Sequence, residues 1–190
     1  IPVLAITGTN GKTTTKELTA AVLATRMKTG YSRGNLNNHI GVPLTLLSLT
    51  TDTEIAVVEM GANHPGEIAF LCRIARPDFG LVTNVGKAHL EGLGSLHGVI
   101  ETKSELYRFL ENNNGILFIN GDNPLLGEAA GDRLRKVQYG QSDKNSIRGI
   151  QRNEESLFLA LDLWFYGKGP FRVNSRLTGR YNLENITAAA

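Results

Sequence analysis

The chain has 190 residues, of which 41% are hydrophobic and 20% are charged, so it is long enough to build a full core in one large domain. Twenty basic residues against 18 acidic ones leave a formal net charge of +2, which gives no support to a nucleic-acid or acidic-membrane partner. The lone cysteine excludes a disulfide within the chain and favours a cytoplasmic setting, and no apolar run reaches the roughly 20 residues of a membrane span.

The first predicted elements are a buried strand over Val3–Thr7, a glycine-bearing turn and a helix that runs to Leu23. The turn reads Gly8-Thr9-Asn10-Gly11-Lys12-Thr13-Thr14. In such a turn, backbone N–H groups and the helix dipole face an anion, Lys12 lies against the β- and γ-phosphates, and Thr13 offers its hydroxyl to Mg²⁺. The glycines are separated by two residues instead of four, so we interpret the turn as a shortened phosphate loop; an ordinary strand-to-helix turn is the alternative.

An amide-rich loop follows the first helix. It contains Asn35, Asn37, Asn38 and His39, and Pro43 then starts a short helix. Amides can donate hydrogen bonds to substrate oxygens without adding charge. The loop is therefore either a substrate-facing segment or a surface loop rich in turn-forming residues.

Two polar side chains follow the ends of the next predicted strands. Ile55–Val58 ends in Glu59, and Phe79–Thr83 leads into a segment that contains His89. Side chains at the carboxyl ends of parallel strands point into the crevice where open α/β sheets bind ligands. Glu59 and His89 are therefore metal-ligand candidates, and the alternatives are a helix-capping or solvated acid and a solvated loop histidine.

A lysine interrupts the apolar face of the helix predicted over residues 95–110. Val99, Lys103, Leu106 and Leu110 recur at helical spacing, which places Lys103 on the face that should meet the sheet. The side chain either extends its ammonium group toward water or is desolvated, and desolvation would lower its pKa toward a neutral, nucleophilic amine. A neutral amine can react with CO₂ to form a carbamate, an anion able to hold Mg²⁺.

The fourth strand is predicted over Gly115–Ile119. Four apolar strands alternate with helical stretches, and polar residues follow each strand. This pattern predicts an α/β fold with a P-loop-type, doubly wound, mostly parallel sheet and helices on both faces.

The pattern changes in the last third of the chain. Leu157–Tyr166 and Phe171–Leu177, joined by a turn at Gly167–Pro170, indicate a hairpin. Together with Arg135–Tyr139 it predicts a small flanking antiparallel sheet. We therefore divide the chain into a parallel core (1–137), a small β subsheet (138–178) and the start of a closing helix (179–190).

The closing helix carries Asn182 and Asn185 one turn apart. Their amides project from one side and could bind the edge of a purine, although helix capping by Asn182 explains the pattern as well. Because a core strand begins at once and this helix is still running at Ala190, we expect a domain of a longer enzyme.

The phosphate loop resembles the shortened one of the Mur ligase family, which also includes folylpolyglutamate synthetases. Three further segments resemble the family members that act on cell-wall peptides: Gly34–Pro43, Glu59–Ile68 and Ala88–Gly92. The closing segment is similar to the family's adenine-side motif, although Tyr181 stands where the family usually has His. The resemblance runs from about Val3 to Ala190 and covers only the family's central ATPase domain.

The resemblance implies ATP and Mg²⁺ as cofactors and four catalytic residues, which are Lys12, Glu59, His89 and Lys103. It implies Thr13 and Glu59 on one Mg²⁺, His89 on a second and a carbamate on Lys103. It also implies adenine contacts from Asn182 and Asn185 and a substrate-facing role for the loop from Asn35 to His39.

The implied activity is ATP-dependent addition of D-Ala-D-Ala to UDP-N-acetylmuramoyl-tripeptide through an acyl phosphate, a step in peptidoglycan precursor synthesis. Two alternatives stay open. The first is a folylpolyglutamate synthetase-type ligase, whose loop typically continues Gly-Lys-Gly-Ser, whereas Thr13 and Thr14 follow Lys12 here. The second is a nucleotide-binding module without ligation chemistry.

Overall fold

A computed structural model describes residues 1–86, 95–153 and 156–190. Within these ranges, nine strands form one sheet: β1 Val3–Thr7, β2 Thr29–Tyr31, β3 Ile55–Glu59, β4 Phe79–Val82, β5 Ile116–Asn120, β6 Arg135–Gly140, β7 Ile147–Gln151, β8 Ala160–Phe165 and β9 Lys168–Asn174. Six helices lie in the same ranges: α1 Lys12–Leu23, α2 Gly41–Leu47, α3 Glu67–Ala75, α4 Leu96–Asn112, α5 Pro124–Ala130 and α6 Asn182–Ala189.

The sheet order is β2-β3-β1-β4-β5-β6-β7-β8-β9. All pairs from β2 to β7 are parallel, and β7–β8 and β8–β9 are antiparallel. The chain leaves β1 toward β2 and β3 on one side and continues at β4 on the other, so β1 lies at the switch point where such sheets bind ligands. The predicted α/β fold with a doubly wound, mostly parallel sheet is confirmed.

Helices cover both faces because alternate residues of each buried strand point to opposite sides. On one face, Val3 and Ala5 of β1 belong to a cluster with side chains of α2, α3 and α4. On the other face, Leu4 and Ile6 pack with Ala20 of α1. A third cluster joins β8 to α6, so α6 lies beside α1 and packs against the strands from β5 to β8. Across the part of the chain that the structure describes, no helix combines the length and apolar character needed to cross a bilayer.

The antiparallel flank is present as β7–β9, but it is continuous with the parallel strands instead of forming a separate sheet. The assignment of Arg135–Tyr139 to that flank is wrong: this segment is β6, which pairs in parallel with β5 and runs on to Gly140, across the division predicted after residue 137. Sequence pattern indicates a strand without its direction, and here α5 supplies the crossover that returns the chain to a parallel neighbour.

Two local features differ from what the sequence predicts. The strand β2 is absent from the prediction, because it has only three residues, is half exposed and is too short to leave a periodic signal. The hairpin turn is Tyr166–Gly167, with φ of 50° and 77°, because two-residue hairpin turns with positive φ at both positions match the twist of the strands.

Candidate active site

The turn between β1 and α1 is held by several hydrogen bonds against the segment that follows β4. The Thr9 N–H donates to the Asn84 carbonyl (2.9 Å) and the Asn10 N–H donates to Asn84 Oδ1 (3.0 Å). The Thr83 hydroxyl donates to the Asn10 carbonyl (2.6 Å). A Cβ at Gly8, where φ is 138°, would lie 2.0 Å from Thr83 Oγ1, so only glycine allows this close approach. Two N–H groups of the turn therefore bond Asn84, and the amides available to an anion are those at the start of α1, which lack acceptors within the helix.

Lys12 opens α1 and turns back over the loop. Its Nζ donates to the carbonyls of Gly8 (3.0 Å) and Thr9 (2.8 Å). Burial lowers the pKa of Lys12, and the charge of Glu59 opposes that shift. The structure thus places Lys12 within the electrostatic reach of Glu59.

Glu59 ends β3 with only 1% of its surface exposed. Its Oε1 accepts a hydrogen bond from Asn37 Nδ2 (2.8 Å), and its N–H donates to Ser32 Oγ (3.1 Å). Its Oε2 is buried and has no hydrogen-bond partner among the described residues. The side chain is therefore neither solvated nor a helix cap, which removes both alternatives left open by the sequence.

The orphaned Oε2 fits a hard divalent cation. Mg²⁺ is usually held by one or two carboxylates together with waters and substrate phosphates, so it needs no dedicated cluster of protein ligands. Thr13 lies exposed in the first turn of α1, on the same phosphate loop. His89, the other ligand candidate, lies outside the described residues. Among the described residues, no three His, Cys, Asp or Glu side chains form a group suited to a metal.

Lys103 is buried on the sheet-facing side of α4, with 2% of its surface exposed. Val99, Leu106 and Leu110 are buried with it, as the helical spacing predicts. Burial lowers the pKa of Lys103 to about 8, and the charge of Lys12 acts in the same direction. The side chain is therefore desolvated and does not extend its ammonium group into bulk water.

Glu105, two residues further along α4, binds the N-terminus of α3. Its two carboxylate oxygens accept hydrogen bonds from the N–H groups of Gly66 (2.6 Å) and Ala69 (2.8 Å). A carboxylate at a helix N-terminus satisfies unpaired amides and interacts favourably with the helix dipole. These two hydrogen bonds join α3 to α4 beside Lys103.

Three of the four predicted loop positions, Asn35, Asn37 and Asn38, make hydrogen bonds within the protein. Asn37 bonds Glu59, and its carbonyl accepts the Gly61 N–H (2.7 Å). Asn38 Oδ1 accepts the N–H groups of Ile40 (3.1 Å) and Gly41 (2.9 Å) at the start of α2. His39 is exposed and lines the adjoining cavity, whereas Asn35 is exposed and contributes its carbonyl to the Asn37 N–H (2.8 Å).

A cavity of about 720 Å³ is lined by some of these side chains. It begins at Lys12 and Lys103, passes the loop residues 37–39 and continues along α3. Phe70 and Arg73 line its far end, with the Arg73 guanidinium 5.7 Å from the Phe70 ring centroid. Three basic side chains and one carboxylate, that of Glu67, line this cavity, so the excess of basic groups favours an anionic ligand.

A second cavity, of about 360 Å³, lies on the α6 side of the phosphate loop. Asn185 and Tyr181 line it together with Gly11. Asn185 Oδ1 accepts a hydrogen bond from the Thr15 hydroxyl (3.2 Å), and its Nδ2 donates to Asn182 Oδ1 (2.9 Å). Asn185 thus faces the cavity while Asn182, whose Nδ2 donates to the Thr178 carbonyl (2.8 Å), holds Asn185 in place.

Several residues that shape the site escaped sequence reasoning. Asn84 directly follows a strand, so its position was a usable signal. Glu105 and Lys16 offered none, because a charged residue inside an amphipathic helix is normally solvated. Their roles depend on which segments of the chain pack against those helices.

Comparison with known proteins agrees with this geometry. The family model of the Mur ligase middle domain matches residues 6–190. The UDP-N-acetylmuramoyl-tripeptide–D-alanyl-D-alanine ligase of Escherichia coli (strain K12) is 53% identical over 121 residues, covering 64% of this chain and 26% of that protein. The ligase of the same name from Bacillus subtilis (strain 168) is 42% identical over 153 residues, covering 80% of this chain and 33% of that protein.

Solved structures give the same result. The crystal structure of the MurF ligase from Thermotoga maritima in complex with ADP superposes with a TM-score of 0.87 at 31% identity, covering 99% of this chain and 44% of that one. The chain therefore spans less than half the length of each of these three relatives.

Proposed function

Because this chain belongs to the Mur ligase family, of which it carries the middle domain, we propose that it is the ATP-binding domain of a D-Ala-D-Ala-adding ligase. The proposed enzyme joins D-Ala-D-Ala to UDP-N-acetylmuramoyl-tripeptide with hydrolysis of ATP to ADP and phosphate. ATP and a UDP-activated peptide are cytoplasmic metabolites, so we assign the enzyme to the cytoplasm.

One observation carries the proposal: Lys12, Glu59 and Lys103, which come from three separate elements, converge at one edge of the sheet. Lys12 and Lys103 line the same cavity, and Glu59 acts electrostatically on Lys12. A nucleotide-binding switch requires a phosphate loop, but binding of a nucleotide alone does not require a desolvated lysine such as Lys103 near that loop. The buried Lys103 therefore favours ligation over a module that only binds nucleotide.

The chemistry needs an activated carboxylate. The terminal carboxylate of the peptide attacks the γ-phosphorus of ATP, the bond to the bridging oxygen of ADP breaks, and an acyl phosphate forms. The amine of D-Ala-D-Ala then attacks the acyl carbon and loses a proton, and inorganic phosphate leaves. The Lys12 ammonium lies where it can offset the charge of the two anions that must approach each other.

A bound Mg²⁺ and a carbamate on Lys103 would support this reaction. Glu59, with its unpaired Oε2, and Thr13 would hold Mg²⁺, which neutralises phosphate charge and aligns the reacting oxygens when it is bound. The neutral Lys103 amine would react with CO₂ and release a proton to give a carbamate, adding a second anion beside the Lys12 ammonium. His89 stays a predicted ligand.

The remaining predicted contacts divide between the two cavities. Asn185, braced by Asn182, would bond the adenine from the smaller cavity, where Tyr181 offers an exposed ring surface. The loop residues 37–39 and Arg73 line the larger cavity and would face the anionic peptide substrate.

The proposal is tested with the full-length enzyme. We expect phosphate release from ATP to require both UDP-N-acetylmuramoyl-tripeptide and D-Ala-D-Ala, and folate with glutamate to give no stimulation. Glu59→Gln should reduce kcat by about 100-fold or more because it removes the anionic ligand. Glu54→Gln is the matched control, since Glu54 lies exposed just before the opposite end of β3 and should leave kcat unchanged. Stimulation by the folate pair, or equal binding of GTP and ATP without ligation, would contradict the proposal.

A further inference from the structure

Lys16 is a completely buried lysine that the proposed chemistry does not use. It lies one turn after Lys12 on α1, and its exposed fraction is 0%. Its Nζ donates to the Ser32 carbonyl (2.7 Å), the Gly34 carbonyl (3.1 Å) and Glu17 Oε1 (2.6 Å). An ammonium group has three donors, and here all three have an acceptor. Burying a cation is unfavourable unless it is fully paired, so this complete set of acceptors calls for an explanation.

The two backbone acceptors lie where the chain leaves β2 for the amide-rich loop. Ser32 is itself buried, and its hydroxyl accepts the N–H of Glu59 (3.1 Å). Its N–H donates to the Val57 carbonyl of β3 (3.0 Å). The Lys16 side chain therefore ties α1, which carries the phosphate loop at its start, to the residue that supports the Glu59 backbone.

The second acceptor, Gly34, directly precedes the loop. Three residues later, Asn37 donates to Glu59 Oε1 (2.8 Å) and accepts the Gly61 N–H through its carbonyl (2.7 Å). The Lys16 ammonium thus holds both the backbone beneath Glu59 and the entrance of the loop whose amide holds the Glu59 carboxylate.

We propose that Lys16 is a positioning residue that fixes the substrate loop and, through Ser32 and Asn37, the Glu59 carboxylate relative to the phosphate loop. It does not touch substrate. It makes the geometry of the substrate site depend on the helix that binds the nucleotide phosphates. The placement of the loop stands on its own hydrogen bonds, whereas its consequence for catalysis rests on the proposed function.

Stability alone does not account for this lysine. A well-packed apolar side chain usually stabilises a buried site as well as a paired charge does, because the charge must first be desolvated. The cation adds a geometric requirement, since its hydrogen bonds form only when the carbonyls of Ser32 and Gly34 both point at the Lys16 Nζ atom. An apolar residue of the same length would fill the space without that requirement.

The test uses Lys16→Met in the full-length enzyme, with two controls on the same helix. Glu17→Gln changes only the half-exposed ion-pair partner and keeps both carbonyl bonds. Thr19→Val removes a buried hydroxyl that has no partner among the described residues and reports the effect of an ordinary change in α1.

The first readout is hydrogen exchange of the Gly61 amide, which reports the Gly61–Asn37 bond independently of catalysis. We expect it to exchange at least about tenfold faster in Lys16→Met, the change expected when a bond of this kind opens more readily, and to stay unchanged in both controls. Unchanged exchange in Lys16→Met would overturn the inference, even if the enzyme catalyses a different reaction.

The second readout separates positioning from a general loss of structure. In Lys16→Met we expect the KM for UDP-N-acetylmuramoyl-tripeptide to rise at least about tenfold, while the Kd for ADP without Mg²⁺ stays within about twofold. Equal loss of both would indicate a merely structural role and overturn the inference. If Lys16→Met does not fold, Lys16→Gln, which keeps two donors on a shorter side chain, undergoes the same measurements.

Discussion

Replacement of Lys103 tests the central electrostatic feature of the site. The pKa of Lys103 is about 8, against 10.5 for an ordinary lysine. At pH 7 about one molecule in ten therefore carries a neutral amine, against about one in 3,000 for an ordinary lysine, an enrichment of about 300-fold. Because only the neutral amine reacts with CO₂, we expect carbamate to form on Lys103 at near-neutral pH, and the rate of its formation to decline about tenfold per pH unit below 8 at fixed dissolved CO₂.

The carbamate is detected by ¹³C NMR of the full-length enzyme in ¹³C-labelled CO₂ and bicarbonate. Lys103→Met should remove the signal. Lys12→Met should move its pH midpoint upward, because the charge of Lys12 helps to lower the pKa of Lys103. A carbamate signal that survives Lys103→Met, or a midpoint that falls in Lys12→Met, would refute this account of the lysine pair.

Activity gives a second measurement of the same group. Lys103→Ala should abolish turnover, and short-chain carboxylates should partly restore it by occupying the place of the carbamate. Full activity of Lys103→Ala without any added carboxylate would rule out the catalytic role.

Stability provides a check that does not depend on activity. Below pH 8 the Lys103 ammonium is charged in both the folded and the unfolded state, so the folded state bears the penalty of burying it; the penalty disappears as pH rises from 8 to 10.5. Lys103→Met should therefore raise the melting temperature at pH 7 more than at pH 10. The shift in pKa limits the corresponding gain in the free energy of unfolding to about 3 kcal/mol. A lower melting temperature at pH 7 would mean that contacts of the ammonium outweigh its desolvation.

Two further pairs of substitutions, each a test and its control, examine the supporting geometry. Gly11→Ala should weaken ADP binding at least about tenfold, measured by calorimetry, because φ is 78° and the added Cβ would lie 2.5 Å from Asn185 Oδ1. Gly34→Ala is the control, because φ is 54° and no atom lies within 4 Å of the added Cβ, so the change introduces backbone strain without a steric clash. This variant should bind ADP normally. An equal loss of ADP affinity in both variants would show that the contact with Asn185 is not the cause. Glu105→Gln should destabilise the fold by about 1–3 kcal/mol, seen as a lower melting temperature, because one α3 amide loses its carboxylate acceptor. Glu101→Gln, on the exposed face of α4, should change stability by less than about 1 kcal/mol, and an equal effect of the two changes would contradict the capping role of Glu105.

Local patterns in the sequence were enough to predict much of the site. The phosphate loop is a contiguous segment, so its glycines and Lys12 could be recognised without knowledge of the fold. The position of Lys103 on the inward face of its helix followed from helical spacing alone, because one helix face repeats every three to four residues, whereas the burial of its ammonium group needed the structure. Glu59 followed from the rule that residues after parallel strands meet at one edge.

The direction of β6 needed the whole sheet, since an apolar strand pairs equally well in either sense until its connections are placed. Only the tertiary structure brought Glu105 to the start of α3 and aligned Lys16 with the carbonyls of Ser32 and Gly34, just before the amide-rich loop. Sequence by itself therefore determined which residues form buried strands, the phosphate loop and the inward face of α4, because each is written in neighbouring positions. The partners of the buried charges were decided by packing, because residues distant in sequence become neighbours only when the helices close over the sheet.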